Sequence, residues 1–281
     1  MAIYKAEFLY HHYSHRLRPA AHYTMGWIPL WARVAAVAPG AVNAITHSPG
    51  VEKAVKAVGG IDPHRQLPRF APQRFTRWWR DQRRHSGEAG TVVLWPDTFT
   101  NNFDPAIARD AVDVLEGAGF TVAVPGKALC CGLTWISTGQ LDVARKVLRR
   151  TLRALAPALR TGTPIVVLEP SCAAVFRSDA TALLHGDEDA HRLATQTYTI
   201  GELLRAKAAD WRPPRTGGRA VVQPHCHQHA VLHYDEEKAL LDDAGVDTEI
   251  LDAGCCGLAG NFGFERGHHE VSVACAENKL L

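Results

Sequence analysis

The chain of 281 residues contains no C-x₂-C pair, which removes the usual knuckles of a tetrahedral zinc site. It has little net charge: Lys+Arg 31 against Asp+Glu 29 gives a formal +2. No global field therefore argues for nucleic acid or another polyanion, and no nucleic-acid partner is expected. It also lacks an apolar run long enough to span a bilayer, because "GWIPLWARVAAVAPGAVNAI" (26–45) is broken by Pro29, Arg33 and Pro39. The opening "MAIYKAEFLYHHYSHRLRP" carries charges throughout and no apolar h-region. It does not read as a signal peptide, so the cytoplasm is the expected compartment.

What is present is cysteine, seven residues in all. An odd count in a chain this long fits a disulfide scaffold poorly, and a reducing compartment disfavours one. Two of the pairs are adjacent, Cys130-Cys131 in "GKALCCGLTW" (126–135) and Cys255-Cys256 in "DAGCCGLAGNFGF" (252–264). A trans peptide holds neighbouring Cα atoms about 3.8 Å apart, below the usual disulfide range of roughly 4.4–6.8 Å. The neighbouring thiols are better read as aimed at a common ligand.

The two Cys-Cys-Gly triplets belong to an internal repeat. "TVVLWPDTFTNNF" (91–103) resembles "RAVVQPHCHQHAV" (219–231), each a short β-branched run, a Pro and then polar residues. Amphipathic stretches ending in Ala-Gly follow, "AIARDAVDVLEGAG" (106–119) and "EEKALLDDAG" (236–245), then the apolar runs "FTVAVP" and "VDTEILD". Gly119 precedes Cys130 by 11 positions and Gly245 precedes Cys255 by 10. The first copy continues into a long helical pattern over 138–159 and a buried strand "TPIVVLEP" (163–170) that leads directly to Cys172.

The unit reads β-α-β-CCG-α-β-Cys, an α/β fold of two pseudo-repeated units with parallel sheets, preceded by a mainly helical N-terminal segment. The expected divisions are a helical segment and basic linker (1–90), a first repeat (91–185), a helical connector (186–218) and a second repeat (219–281) that stops before its third strand and closing cysteine. The chain is accordingly expected to be a piece of a longer protein, or one subunit that another one completes. Ligands of open α/β sheets collect at the carboxyl ends of strands. Every cysteine except Cys275 follows a predicted strand, so six thiols are expected to converge there.

Such a gathering of thiols suits a soft metal. Iron–sulfur clusters draw Cys ligands from separated segments, and adjacent cysteines on a tight turn can reach two irons of one cluster. Gly132 and Gly257 supply the permissive backbone for that approach. The pattern of a Cys, a spacer, Cys-Cys-Gly, a spacer and Cys or C-x₂-C resembles the cysteine-rich CCG domain of heterodisulfide reductases and of the iron–sulfur subunits of glycolate- and lactate-oxidising complexes. More closely, the chain is similar to the C-terminal part of fusions in which an FAD-linked 2-hydroxyacid oxidase precedes a ferredoxin-like domain and paired CCG repeats.

That resemblance implies metal ligands Cys226, Cys255 and Cys256 in the second repeat and Cys130, Cys131 and Cys172 in the first. Thr98 stands where the leading cysteine of the first repeat is expected, and Glu169 at the first position of its closing C-x₂-C. It implies a cluster of 4Fe–4S type that takes electrons from a reduced flavin and passes them towards a quinone or cytochrome. FAD would lie on a partner or upstream oxidase domain, next to a ferredoxin-like domain, and the chain would sit in the cytoplasm or at the inner membrane face. Two rivals are a heterodisulfide-reductase-like catalytic cluster and a non-redox module with zinc or nothing bound.

Within "HCHQH" (225–229), His225 and His227 read as groups that tune the cluster by hydrogen bonding rather than as an independent metal site. Cys275, in mid-helix, reads as a small buried apolar residue. Asp97 is weighed as a substitute oxygen ligand, though a carboxylate matches an iron–sulfur cluster poorly. The glycines of "GLAGNFGFERG" lack the strand–GxGxxG–helix context of a phosphate loop. The basic "RFTRWWRDQRR" (74–84) reads as a solvated helix packing its two Trp on the core, or as a docking surface for a partner domain or anionic headgroups.

Overall fold

The computed structural model describes residues 2–82, 85–252, 254–278 and 280. Its centre is a parallel sheet of four strands, β1 (Thr91–Trp95), β2 (Thr121–Ala123), β3 (Ile165–Val167) and β4 (Thr197–Tyr198), in the order β2-β1-β3-β4. Strand β1 is central because both of its faces are apolar. Val93 and Trp95 enter one cluster of buried side chains while Val92 and Leu94 enter another, as the two-residue period of a strand requires. The Leu141–Arg160 helix covers the first face with Ala144, Leu148, Leu152, Leu155 and Leu159. The Pro105–Gly117 helix covers the second with Ala108, Ala111, Val112 and Leu115.

The first repeat is thus the β-α-β-CCG-α-β unit expected, with β3 delivering the chain to Cys172. The segment 186–218 is not wholly helical. Between the helices Glu188–Gln196 and Ile200–Lys207 it lays β4 alongside β3. Two residues are too few to show a strand period, which is why the pattern hides this strand. Its end is nonetheless fixed locally, by a capping box between Thr199 and Glu202 that starts the next helix.

The second repeat forms its own parallel pair, β5 (Arg219–Val222) and β6 (Asp247–Ile250), with the Asp235–Asp243 helix between them. It is much less enclosed than the first: Val221 and Ile250 are exposed, and no residue of the Asp235–Asp243 helix is fully buried.

The N-terminal segment is helical, as its pattern predicts, with breaks at its Pro and Gly positions: Ala2–His12, Ala20–Thr24, Ile28–Ala35, Pro39–Thr46, Val51–Gly59 and Phe75–Asp81. It grips both repeats. Arg18 donates from Nη1 to Thr138 O (2.7 Å) and from Nη2 to Gly139 O (2.8 Å), and Trp27 Nε1 donates to Gln140 Oε1 (2.8 Å). On the other repeat, Arg65 donates to Gly263 O (2.7 Å) and to Ser272 Oγ (2.6 Å). Asp62 accepts from Gly267 N (3.1 Å) while its own N–H donates to Phe264 O (2.8 Å). In the basic stretch, Trp79 is buried and Trp78 packs half-buried against the same core, as expected of the two Trp; Arg83 and Arg84 lie outside the described residues.

Asp62 yields a pH prediction. Desolvation pushes its carboxyl up, but hydrogen bonds from the His64 backbone and ring and from Gly267 N outweigh it and bring the pKa down to about 2. A depressed carboxyl contributes stability that is present above its unfolded value, about 3.9, and lost as pH falls through the folded one. Urea unfolding at stepped pH should therefore show the native chain losing stability between about pH 4 and pH 2 faster than Asp62→Asn; parallel curves would exclude Asp62 as the source.

Candidate metal centre

The first Cys-Cys-Gly turn lies between β2 and the Leu133–Ser137 helix. Gly132 has φ +92°, in the left-handed region, and directs its N–H back onto Cys130 Sγ at 3.4 Å. Thr151, on the long helix, donates to Cys130 O at 2.9 Å and pins the turn from below. At the end of β3, Glu169 caps the Pro170–Ala174 helix by accepting from Ser171 N (3.0 Å), and that short helix presents Cys172. The Cys172 and Cys131 Sγ atoms are 2.9 Å apart, a thiol–thiol hydrogen bond in which either sulfur can donate. Cys130, Cys131 and Cys172 are all free thiols and all buried.

The second turn repeats the device. Gly257, at φ +78°, donates from its N–H to Cys255 Sγ at 3.3 Å. Here packing adds to conformation, since a Cβ on Gly257 would lie 1.9 Å from Ser272 O, whereas at Gly132 the same atom meets nothing nearer than 3.7 Å. Cys226, Cys255 and Cys256 are exposed and lie within electrostatic reach of one another, since the latter two both raise the Cys226 thiol. The largest upward push on Cys226 is desolvation. The six thiols thus gather as two sets of three, one buried and one open. The second set's leading loop rests on the first, with His225 Nε2 3.5 Å from Ser171 Oγ and the Gln228–Leu232 π-helix packed against Pro170–Ala174.

The electrostatics of the buried set are those of neutral thiols. Cys130 is pushed well above the ordinary range, first by its hydrogen bond with Cys131 and then by burial. For Cys172, the hydrogen bond from Cys131 lowers the pKa, but desolvation and the nearby Asp97 and Glu169 carboxyls win and raise it to about 11. A bound metal reverses this balance, because a coordinating thiol is deprotonated outright. Thr98, where the leading cysteine was expected, lies close enough to Cys130 to lower its thiol pKa, against the larger upward pushes.

Several expectations change. Asp97 is not a free oxygen ligand: Oδ1 accepts from Phe99 N (2.8 Å) and Thr100 N (3.1 Å), and Oδ2 accepts from Thr100 Oγ1, so the carboxylate is occupied as a helix cap. Cys275 is exposed, not buried, because the His269–Glu277 helix turns Ser272 and Ala276 inward. His225 and His227 stack at 5.0 Å between the sets, and His227 Nδ1 is buried without a partner among the described residues. The donor atoms of His225, Cys226 and His227 lie within 4.8 Å of one another, a grouping that a linear reading of "HCHQH" understates. Sequence reasoning also missed the two π-helical turns, Val175–Asp179 and Gln228–Leu232, which follow Cys172 and Cys226. Such turns concentrate at functional sites but carry no simple residue pattern.

Residues 98–177, within the first repeat, match the family model CCG, a cysteine-rich domain. Over 241 residues it is 27% identical to one of the subunits of the anaerobic glycerol-3-phosphate dehydrogenase of Escherichia coli (strain K12), covering 83% of this chain and 60% of that protein. It is 26% identical over 292 residues to D-2-hydroxyglutarate dehydrogenase of the same organism, covering 98% of this chain and 28% of the relative. Lactate utilization protein A of Geobacillus thermodenitrificans (strain NG80-2) is 27% identical over 201 residues, 67% of this chain and 80% of that protein. The chain therefore spans 60% of the first of these relatives and 28% of the second, less than two thirds of either. No solved structure matches it. Domain and thiol set together imply binding of an iron–sulfur cluster.

The contrast in burial predicts two classes of thiol. In metal-free protein, a thiol reagent followed by mass spectrometry should label Cys226, Cys255, Cys256 and Cys275 first, and Cys130, Cys131 and Cys172 only once denaturant is added. Equal labelling of all seven in the native chain would overturn the division.

Proposed function

We propose that the chain is the iron–sulfur electron-transfer module of a flavin-linked 2-hydroxyacid oxidoreductase. The observation that carries this reading is the convergence of Cys130, Cys131 and Cys172 at the carboxyl ends of the sheet, buried and free of disulfides. The names of the relatives, dehydrogenases of a hydroxyacid and of glycerol 3-phosphate and a lactate utilization protein, support the substrate class.

The residues suit a cluster of 4Fe–4S type. The donors are soft thiols; the Gly132 and Gly257 N–H groups already point at sulfur; and the buried indole N–H groups of Trp95 and Trp135, in the same apolar cluster as the thiols, have no acceptor among the described residues. When bound, a cluster supplies one-electron redox chemistry at a potential set by hydrogen bonds to sulfur, burial and net charge. Cys130, Cys131 and Cys172 would hold one such group and Cys226, Cys255 and Cys256 another, with His225 and His227 adjusting the second through hydrogen bonds. FAD belongs on a partner or upstream oxidase domain, linked through a ferredoxin-like domain, and a quinone or cytochrome at the membrane surface is the acceptor. The divisions 1–90, 91–185, 186–218 and 219–281 are the parts we assign to this module.

A zinc-binding reading of the second set has one observation behind it, the mutual proximity of the His225, Cys226 and His227 donors. Anaerobic reconstitution with iron and sulfide, followed by iron and acid-labile sulfide analysis and electron paramagnetic resonance, separates the two. We expect both elements to be retained, with part of the signal lost in Cys131→Ser and the remainder in Cys255→Ser; zinc without sulfide would replace the proposal. Thr98→Cys, which adds a fourth thiol beside Cys130, should slow iron loss to a chelator; unchanged or faster loss would place Thr98 outside the ligand sphere.

A further inference from the structure

The small net charge of the chain hides a strong asymmetry. Residues 8–80 carry ten Lys or Arg (Arg16, Arg18, Arg33, Lys53, Lys56, Arg65, Arg69, Arg74, Arg77 and Arg80) against only Glu52 and Asp62. Of these, Glu52 pairs with Lys56 at 2.6 Å and Asp62 is enclosed by its own hydrogen bonds. Arg74, Arg77 and Arg80 recur every third residue along the Phe75–Asp81 helix and its leading residue, and none makes an ion pair or side-chain hydrogen bond among the described residues. All three line a cleft of about 120 Å³ whose other wall includes Ala36 and Pro39.

That wall is the junction of two apolar helices, Ile28–Ala35 and Pro39–Thr46, which meet at 115°. No single described helix is long and apolar enough to cross a membrane. Ile28–Ala35 buries Pro29, Ala32 and Ala35 and turns the opposite side to solvent, where Leu30, Trp31 (47% exposed), Val34 (60%) and, just beyond the helix, Val37 (87%) stand, with Trp31 donating its indole N–H to Tyr23 O (2.9 Å). Large apolar side chains beside unpaired arginines, with no acid between Glu7 and Glu52, are the composition of an interfacial face. The same helix packs on Thr98–Asn102, and Arg33 lies within electrostatic reach of Cys130. Only about one helix diameter, roughly 10 Å, then separates this face from the buried thiols.

We propose that this face docks on an anionic phospholipid bilayer, with headgroup phosphates entering the Arg74/Arg77/Arg80 cleft and Leu30, Trp31, Val34 and Val37 entering the interface. The charge complementarity favours a lipid surface, since three unpaired guanidinium groups in the cleft attract anions and the adjoining exposed side chains are large and apolar. It extends the membrane-surface acceptor proposed above to a defined surface, yet vesicle binding is measured without any cluster.

The test is sedimentation of the full chain with vesicles of phosphatidylglycerol and phosphatidylcholine in equal parts, against pure phosphatidylcholine, at low and high salt. The chain should pellet with the anionic vesicles and be released by salt. Each Arg→Gln change in the cleft should weaken partition about fivefold, and R74Q/R77Q/R80Q together on the order of a hundredfold. L30S/V34S/V37S alters only exposed side chains; it should weaken binding while circular dichroism stays unchanged. No pelleting at low salt, equal pelleting with pure phosphatidylcholine, or full binding by the triple arginine variant would overturn the proposal and leave the face to a protein partner. Failed docking with normal iron and sulfide retention overturns this inference alone. Docking without any retained cluster overturns the electron-transfer reading alone.

Discussion

The structure depends on a backbone reversal that only glycine accepts readily. Immediately after each cysteine pair, Gly132 at φ +92° and Gly257 at φ +78° reverse the chain, the first into the Leu133–Ser137 helix and the second into the loop before Phe262–Phe264, and aim an N–H at the first sulfur of the pair. A side chain in that region costs on the order of 1–3 kcal/mol. The turn therefore specifies glycine before any ligand is considered. Once made, it leaves the thiols at the carboxyl end of a parallel strand, where the sheet gathers them from sequence positions as distant as Cys131 and Cys172.

The same turn has different surroundings in its two copies. In the first, the sheet has helices on both faces, and the thiols share a cluster with Trp95, Trp135 and Leu148. In the second, the sheet is a bare pair of strands and the thiols are open to solvent. A charge change inside an apolar cluster is far less compensated than one at the surface. Two sets with the same hydrogen bond to sulfur are thereby placed in unlike dielectric environments, and burial is the variable that distinguishes them.

Much of this was legible in the sequence. β1, its following helix, β2 and the long helix before β3 have strong periods, and each appears where expected because both faces of β1 must be covered. The repeat and its two glycines follow from spacing, whereas the six thiols expected at one edge divide between two sheets. What was not legible has physical causes. β4 is two residues long; Cys275 faces outward because Ser272, held by Arg65, takes the inward position. The capping role of Asp97 depends on a helix only five residues long, Thr98–Asn102, in a stretch that reads as a polar loop. The unequal burial of the thiol sets depends on packing between segments, and no local pattern records it.

The N-terminal segment shows why the two sets have a defined relation to each other. Arg18 and Trp27 hold the turn that follows the first Cys-Cys-Gly, through Thr138 O, Gly139 O and Gln140. Asp62 and Arg65 hold the glycine loop that follows the second, through Phe264, Gly263 and Ser272. Gly139 accepts this clasp at close range, since a Cβ there would lie 2.4 Å from Leu9 Cβ. The second repeat has little apolar core of its own, so its orientation rests on these hydrogen bonds, on the His225–Leu232 segment seated against Cys172's helix, and on the Asp235–Asp243 helix packed against Ile200–Lys207, where Arg205 pairs with Glu236 (3.1 Å) and Asp243 (3.7 Å). Hydrogen bonds of this kind contribute about 0.5–1.5 kcal/mol each, and several acting together suffice to fix one loop against another. The helices before β1 therefore determine where the open thiols stand relative to the buried ones, although they contribute no thiol themselves.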